Sequence, residues 1–328
     1  MSRERMLRPE LAVGLWGALC LAAAFYGNWL GNGGRSLAIS VAALAVLLAG
    51  EVLLASPQIR ESAVRVSGPQ GGTLVALWPL AGYLIFALGT HTFTGERLAM
   101  AAAYALIPVL LAVSAQGAKP GVWQDYAAML VIFLPFKLRW LNLIFPGAAA
   151  LHLGYMLPLL FAVNVALAAF VFVRRLDGIG YSVGWPASWM GMAALCFALI
   201  AAVDIPAGTA LHFIHFDPHG ARWSTVPLAL LGTFVFTAWP EEFLFRGLLQ
   251  NSLRRTLHGE TIGWIAASVL FGLAHIGNGF FPNWKYALLA GIAGLGYGFA
   301  WRKTGSIFPG ALVHMMVDVT WHLLFPGG

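Results

Sequence analysis

The sequence predicts an all-α protein, a polytopic bundle of about ten or eleven transmembrane helices. The composition of the 328 residues supports this class, because 59% are hydrophobic and only 10% are charged. The mean hydropathy of +0.78 agrees with both values. A typical soluble domain is about 45–50% apolar and about 25% charged, so this chain has too few charges to cover a soluble globule. The composition also excludes a disordered chain, a collagen-like chain and a disulfide-rich scaffold.

Apolar stretches recur along the whole sequence. A spanning helix needs about 20 mostly apolar residues, and ten stretches are candidates. They are residues 11–30, 36–55, 73–89, 98–115, 155–173, 188–207, 226–249, 262–275, 286–301 and 307–325. An eleventh stretch, 126–145, is interrupted by Lys137 and Arg139. We expect it to be a short or re-entrant helix, or one helix followed by an interfacial one.

Basic residues cluster between these stretches. The clusters are Arg3, Arg5 and Arg8; Arg60 and Arg65; Arg174 and Arg175; Arg254 and Arg255; and Arg302 and Lys303. If segment 126–145 crosses the membrane, all clusters fall on one side, which an excess of Lys and Arg marks as cytoplasmic. The pattern favours eleven crossings and a cytoplasmic N-terminus, and we expect the membrane to be a prokaryotic inner membrane. The net charge is +6, but the residues form no single basic patch, so no nucleic-acid partner is expected.

A polar connector with two glycines, residues 174–181, separates two halves of the chain. We predict an N-terminal multi-spanning membrane region at 1–185 and a second membrane domain at 186–328, whose motif-bearing core is 225–322. The second region holds nearly all of the charge that lies inside apolar segments.

Charged side chains inside apolar helices identify the candidate site. The stretch 226–249 contains Glu241, Glu242 and Arg246, and the stretch 307–325 contains His314 and Asp318. A charged residue at mid-helix costs about 2.5–3.5 kcal/mol, so the four charges cost on the order of 10 kcal/mol before any pairing. Such residues should face a protein interior or a water-filled cavity. We therefore expect them to converge, together with His275 at the end of stretch 262–275.

The spacings within these helices support the convergence. Glu242 and Arg246 are four residues apart, close enough for an ion pair. Glu241 is rotated by about 100° from Glu242, so its carboxylate can face elsewhere. His314 and Asp318 are again four residues apart on one face. Pro240 removes a backbone hydrogen bond and should kink or widen the helix beside the two carboxylates.

A carboxylate beside two histidines and an aspartate suits hydrolysis. Glu241 is the candidate general base for water, and His275 could orient that water or share the base role. His314 and Asp318 could stabilise an oxyanion, or could ligate a divalent metal such as zinc together with His275 and Glu241. The structural alternative is a buried ion pair with satisfied histidines. Two functional alternatives are a proton- or ion-coupled transporter and a non-catalytic membrane scaffold or immunity protein.

Three further features give expectations about geometry. Glu241 lies in the second half of a helix that ends near Arg254 and Arg255, so the cavity should open toward the cytoplasm. Gly294 and Gly298 form a GxxxG pattern, which predicts close helix packing inside the bundle. A loop after residue 207 is expected to be a solvated turn, rather than an exterior metal site, and to lie away from Glu241. Its polar residues are His212, His215, Asp217 and His219.

The motifs resemble a known family. Residues 241–246 fit EExxxR, residues 271–275 fit FxxxH, and residues 314–318 fit HxxxN/D. In this order they resemble the CAAX-protease and bacteriocin-processing family of intramembrane proteases, as does the phrase GSIFPGA at 305–311. The resemblance covers roughly residues 225–322. It implies a membrane-embedded endopeptidase that cleaves a membrane-associated protein or peptide, and some family members cleave prenylated CAAX proteins.

The resemblance also implies roles for the matching residues. The first glutamate of EExxxR, here Glu241, activates water with the FxxxH histidine, here His275. Glu242 pairs with Arg246, and the last motif, here His314 and Asp318, assists the oxyanion. Prenyl-protease members mostly have Asn where this chain has aspartate. That aspartate is a poorer oxyanion donor unless protonated and a better metal ligand, so the resemblance leaves metal-dependent and glutamate-only hydrolysis both open.

Overall fold

The computed structural model describes residues 6–325, except the side chains of residues 67–74, and the described residues are helical without any strand. The predicted all-α class is therefore confirmed. The chain divides into two compact units, Met1–Asp177 and Gly178–Gly328. Arg3 and Arg5, which contributed to the predicted orientation, lie outside the described residues.

From residue 6 onward, the N-terminal unit contains seven helices besides two short 3₁₀ turns. They are α1 (Pro9–Trp29), α2 (Gly34–Leu53), α3 (Pro57–Val75), α4 (Trp78–Gly89), α5 (Gly95–Ser114), α6 (Trp123–Lys137) and α7 (Met156–Val173). Segment 126–145 contains all but the first three residues of the 15-residue α6 and a 3₁₀ turn at Trp140–Leu143, so it includes a short helix. Helix α3 has no counterpart among the predicted spans, because its polar composition lacks the apolar character by which spans were sought. It begins at a proline, which is favoured in the first helical turn.

A buried ion pair connects two helices of this unit. The Nε atom of Arg174, which follows α7, lies 2.8 Å from Oδ1 of Asp125 in the first turn of α6. Arg174 also donates to the carbonyls of Ala118 and Lys119. This residue, expected in a polar connector, is therefore buried and holds the end of α7 against the start of α6.

Up to residue 325, where the description ends, the C-terminal unit contains five helices. They are α8 (Ala187–Ala210), α9 (Trp223–Thr256), α10 (Glu260–Ala274), α11 (Trp284–Thr304) and α12 (Ile307–Leu324). Helix α11 packs against α8, α10 and α12, so it forms the centre of the unit. It also approaches α9, where Gly294 and Gly298 accept hydrogen bonds at their carbonyls from Arg246 Nη2 (3.0 Å) and Gln250 Nε2 (3.2 Å). The predicted close packing of the GxxxG pattern inside the bundle is confirmed.

Seven helices among the described residues are long and apolar enough to cross a membrane, so the chain is an integral membrane protein. They are α1, α2, α5, α7, α8, α9 and α12. Two shorter apolar helices, α4 and α10, have 12 and 15 residues. This criterion gives fewer spans than the ten or eleven stretches of the sequence. One reason is that stretch 73–89 includes a turn before α4.

Helix α9 is widened around Pro240. Two π-helical segments, Phe234–Ala238 and Phe243–Gln250, flank a single α-helical turn at Trp239–Glu242. Proline has no backbone N–H to donate to the preceding turn, and π-helical turns recur at functional sites. The predicted distortion beside the two carboxylates therefore takes the form of wide turns.

Candidate active site

Helix α9 directs its two adjacent glutamates to different partners. Glu242 is fully buried, and its Oε1 atom lies 2.8 Å from Nη1 of Arg246, which is 1% exposed. The guanidinium group also lies over the ring of Phe271, 4.4 Å from the centroid, and over Tyr297 at 5.2 Å. The predicted ion pair is thus confirmed. Its charges are neutralised inside the unit, on the side of α9 that faces α11.

Glu241 faces the two site histidines. Its Oε2 atom lies 3.9 Å from Nε2 of His275 and 3.9 Å from Nε2 of His314. This oxygen is buried and makes no hydrogen bond with the protein, whereas the whole side chain is 27% exposed. The expected convergence of α9, α10 and α12 around one carboxylate is therefore present.

His275 immediately follows α10 and is oriented by that helix. Its Nδ1 atom lies 2.8 Å from the carbonyl oxygen of Phe271, one helical turn earlier. Because a carbonyl only accepts, Nδ1 carries the hydrogen. In this tautomer the lone pair of the imidazole is on Nε2, the atom that lies nearest Glu241.

His314 is held between two acidic partners on different helices. Its Nδ1 atom lies 3.1 Å from Oε1 of Glu242, and its Nε2 atom lies 3.6 Å from Oδ2 of Asp318. The contact with Glu242 is a hydrogen bond, whereas the separation from Asp318 is too long for one. His314 is 4% exposed at its side chain and Asp318 is 22% exposed. Asp318 therefore lies at the more open edge of the site.

Two residues complete the surroundings of the histidines without having been assigned a role from the sequence. The ring of Tyr297 stacks on that of His314, and Phe271 meets the same imidazole edge-on. Phe271 could have been found from its place in FxxxH, one turn before His275. Tyr297 has no such signal, because an aromatic residue in an apolar helix is ordinary.

The second glycine of the GSIFPGA phrase, Gly310, is required by close packing. A Cβ atom at Gly310 would lie 3.0 Å from Oε2 of Glu242 and 3.2 Å from the carbonyl oxygen of Tyr297. Only glycine leaves room for the Glu242 carboxylate and α11 to approach α12 this closely. This position therefore supports the ion pair.

The metal prediction finds no support in the geometry. Within residues 6–325, no group of three or more His, Cys, Asp or Glu side chains is arranged to hold a metal ion. No reaction step is therefore assigned to a metal.

In the loop after α8, Asp217 Oδ1 accepts a hydrogen bond from the backbone N–H of His219, which is the expected turn.

That loop nevertheless lies close to the site. Phe213 contacts Tyr286 with ring centroids 5.7 Å apart, and Tyr286 contacts His275 at 5.3 Å. The backbone N–H of Asp217 also donates to the carbonyl of Leu324 at the end of α12. The loop is therefore connected to His275 through two ring contacts, and the expectation that its polar residues lie away from Glu241 stays a prediction.

The basic end of α9 is remote from the site histidine. Glu260 at the start of α10 accepts a hydrogen bond from Arg254 at 2.6 Å, whereas His275 follows the last residue of the same helix. Fifteen residues at about 1.5 Å each separate the two ends by about 22 Å. His275 and these basic residues therefore lie at opposite ends of α10, which does not support the expected opening of the cavity toward the basic, cytoplasmic side.

The helices and the site define an integral membrane protein with an acidic and histidine-lined centre inside its C-terminal unit. Residues 223–320 match the family described as Rce1-like, the type II CAAX prenyl endopeptidases. The predicted family resemblance is confirmed for this part of the chain, and the match supports an intramembrane peptidase of CAAX type. The matched residues include all six predicted site residues. No curated protein and no solved structure matches the chain.

Proposed function

We propose that the C-terminal unit is an endopeptidase in which Glu241 activates water for attack on a peptide bond. The observation that carries the proposal is the position of Glu241 Oε2, buried without a hydrogen bond and 3.9 Å from both histidine Nε2 atoms. These separations are too long for direct hydrogen bonds and suit one water molecule between the groups. Carboxylate and imidazole are the usual general bases for such a water.

The first step is deprotonation of that water. One water hydrogen points to Glu241 Oε2 and the other to the lone pair of His275 Nε2, which the Phe271 carbonyl fixes in this tautomer. Glu241 takes the proton, and the hydroxide attacks the carbonyl carbon of the substrate. His275 therefore orients the water, and Glu241 is the base.

The second step places charge on the carbonyl oxygen and then breaks the C–N bond. His314, as an imidazolium that donates from Nδ1 to Glu242, donates from Nε2 to the oxyanion. The C–N bond breaks as the proton held by Glu241 moves to the leaving nitrogen, giving a carboxylic acid and an amine. Asp318, at the open edge, limits the movement of the imidazole.

The substrate we propose is a membrane-associated protein or peptide. Five of the six site residues lie on α9 and α12, which are long and apolar enough to span a membrane, and His275 follows the shorter apolar helix α10. A substrate would therefore reach the site from the bilayer or its surface. The matched family acts on prenylated CAAX proteins, and Asp318 departs from its usual Asn. Prenylated and unprenylated peptides are therefore both included in the test.

The experiment uses the full chain in lipid nanodiscs with an internally quenched farnesylated CAAX peptide and the same peptide without the farnesyl group. Products are identified by mass spectrometry. Glu241→Gln should lower kcat by at least about 10³-fold and His275→Ala by about 10²-fold or more. Glu260→Gln is the matched control, because Glu260 is 53% exposed and pairs with Arg254 at the remote end of α10.

Two results would overturn the proposal. One is wild-type cleavage by a correctly folded Glu241→Gln variant. The other is that the wild-type protein cleaves neither of the two peptides nor any peptide in a digest of membrane proteins.

We also propose that the basic ends of α9 and α11 are cytoplasmic, in a prokaryotic inner membrane. Cysteines at Gly259, near Arg254, and Gly277, beside His275, test this in a background without Cys20 and Cys196. A side chain at Gly277 meets open space, and one at Gly259 makes ordinary contacts. An impermeant maleimide should label Gly277→Cys from outside the cell and Gly259→Cys only after permeabilisation. The reverse pattern contradicts this orientation.

A further inference from the structure

The imidazole of His314 is clamped by two aromatic rings as well as by its hydrogen bond. Tyr297 lies flat against it, with ring centroids 4.6 Å apart and an interplanar angle of 12°. Phe271 meets it edge-on at 5.6 Å and 87°. His275, in contrast, meets its neighbours Phe271 and Tyr286 at 51° and 44°. Neither of these two rings is parallel to His275, whereas the ring of Tyr297 is nearly parallel to His314.

Tyr297 is itself held rigidly in the centre of the unit. It is 2% exposed, and its ring is contacted by the guanidinium of Arg246 at 5.2 Å and by the edge of Phe271 at 5.8 Å. Close-packed interiors resist displacement of such side chains. The ring of Tyr297 therefore provides a fixed plane for the imidazole.

We infer that Tyr297 is a positioning residue for hydrolysis, because its ring fixes the plane of the His314 imidazole and the direction of Nε2. This inference rests on the proposed function. A rotation of the imidazole about its Cβ–Cγ bond would break both the stack on Tyr297 and the hydrogen bond to Glu242. The Nε2 atom therefore stays directed toward Glu241 and Asp318.

The stack also suits the charge that His314 carries in the proposed reaction. The face of a phenol ring attracts a neighbouring cation, so Tyr297 stabilises the imidazolium that donates to the oxyanion. This contribution comes from the ring and not from the hydroxyl group. A phenylalanine at this position should therefore keep most of the function, whereas a residue without a ring should lose it.

The experiment compares Tyr297→Phe, Tyr297→Leu and Tyr297→Met in the peptide cleavage assay. Leu and Met should each lower kcat by about 30- to 100-fold and change KM by less than about twofold, because misplacement of a group by about 1 Å costs rate by about 10²-fold. Phe should stay within about threefold of wild type. Tyr83→Leu is the matched control, because Tyr83 is fully buried but lies in the N-terminal unit.

A second measurement does not need a substrate. The rate at which diethyl pyrocarbonate modifies His314, followed by mass spectrometry, should rise in the Leu and Met variants and stay unchanged in Tyr297→Phe and Tyr83→Leu. Wild-type kcat in folded Tyr297→Leu and Tyr297→Met refutes the positioning role while leaving the peptidase proposal intact. Unchanged cleavage in Glu241→Gln refutes the peptidase mechanism, and the modification rates then still test the clamp. Unchanged modification of His314 in the Leu and Met variants refutes the clamp.

Discussion

The buried pair of Glu242 and Arg246 allows a quantitative test of how this unit tolerates charge. Arg246→Met leaves the fully buried Glu242 carboxylate without its cation and removes the hydrogen bond to Gly294. Loss of one partner of a buried pair costs about 3–5 kcal/mol. We expect that loss in the free energy of unfolding.

The double variant Glu242→Leu with Arg246→Met removes both charges. It should recover most of the loss, because replacing a buried ion pair with apolar residues is often neutral. It still leaves Nδ1 of His314 without its acceptor at 3.1 Å, which costs about 1–3 kcal/mol. The double variant is therefore expected to be about 1–3 kcal/mol less stable than wild type and more stable than Arg246→Met.

The assay is reversible unfolding in mixed SDS micelles, followed by tryptophan fluorescence. Arg254→Met is the control, because the pair of Arg254 and Glu260 is partly exposed and exposed pairs contribute about 0–1 kcal/mol. A loss below about 1 kcal/mol for Arg246→Met, or a double variant less stable than the single one, would refute the reasoning.

Three further predictions concern the packing and chemistry of the site. Gly294→Ala places a Cβ atom 3.2 Å from both Arg246 Nη2 and Phe271 and should lower the unfolding free energy by about 1–3 kcal/mol. Gly291→Ala, whose Cβ atom has only ordinary contacts, should be near neutral, and equal losses would contradict this explanation. Asp318→Asn should keep kcat within about tenfold of wild type, because an amide also contacts the imidazole and can donate to an oxyanion; loss as complete as that of Glu241→Gln would show that the charge is required. The rate of peptide cleavage should stay within about twofold of the untreated rate after treatment with the chelator 1,10-phenanthroline, because hydrolysis by a glutamate base needs no metal. A loss of cleavage that added zinc restores would disprove the glutamate-only mechanism.

The convergence of the site was predictable because lipid penalises buried charge. Glu241, Glu242 and Arg246 stand out from an apolar helix, and His314 and Asp318 do so on another, so each had to find partners inside the protein. The four-residue spacing then predicted the ion pair that the structure contains. These predictions were possible because a charged side chain in an apolar helix has a large free-energy penalty that is visible in the sequence itself.

The remaining features involve no buried charge that would mark them in the sequence. Tyr297 occupies an apolar helix in which an aromatic residue is ordinary, so only the fold shows that it lies against His314. The polar helix α3 lies almost entirely between two apolar stretches. The contact of Phe213 with Tyr286 joins a loop to a helix far along the chain. Such relations depend on how the helices assemble, which composition and periodicity do not specify.

The wide turns of α9 have a consequence for how this segment is compared with related chains. A π-helical turn holds one more residue than an α-helical turn would need, so the two ends of Trp223–Thr256 are out of phase with an ideal helix. A helical wheel drawn at 3.6 residues per turn therefore assigns some residues to the wrong face. A relative that lacks one residue within Phe243–Gln250 would be regular over that segment, and the portion of the helix before it would be turned about the axis. Alignments that allow a gap there should match the facing side chains better than ungapped ones.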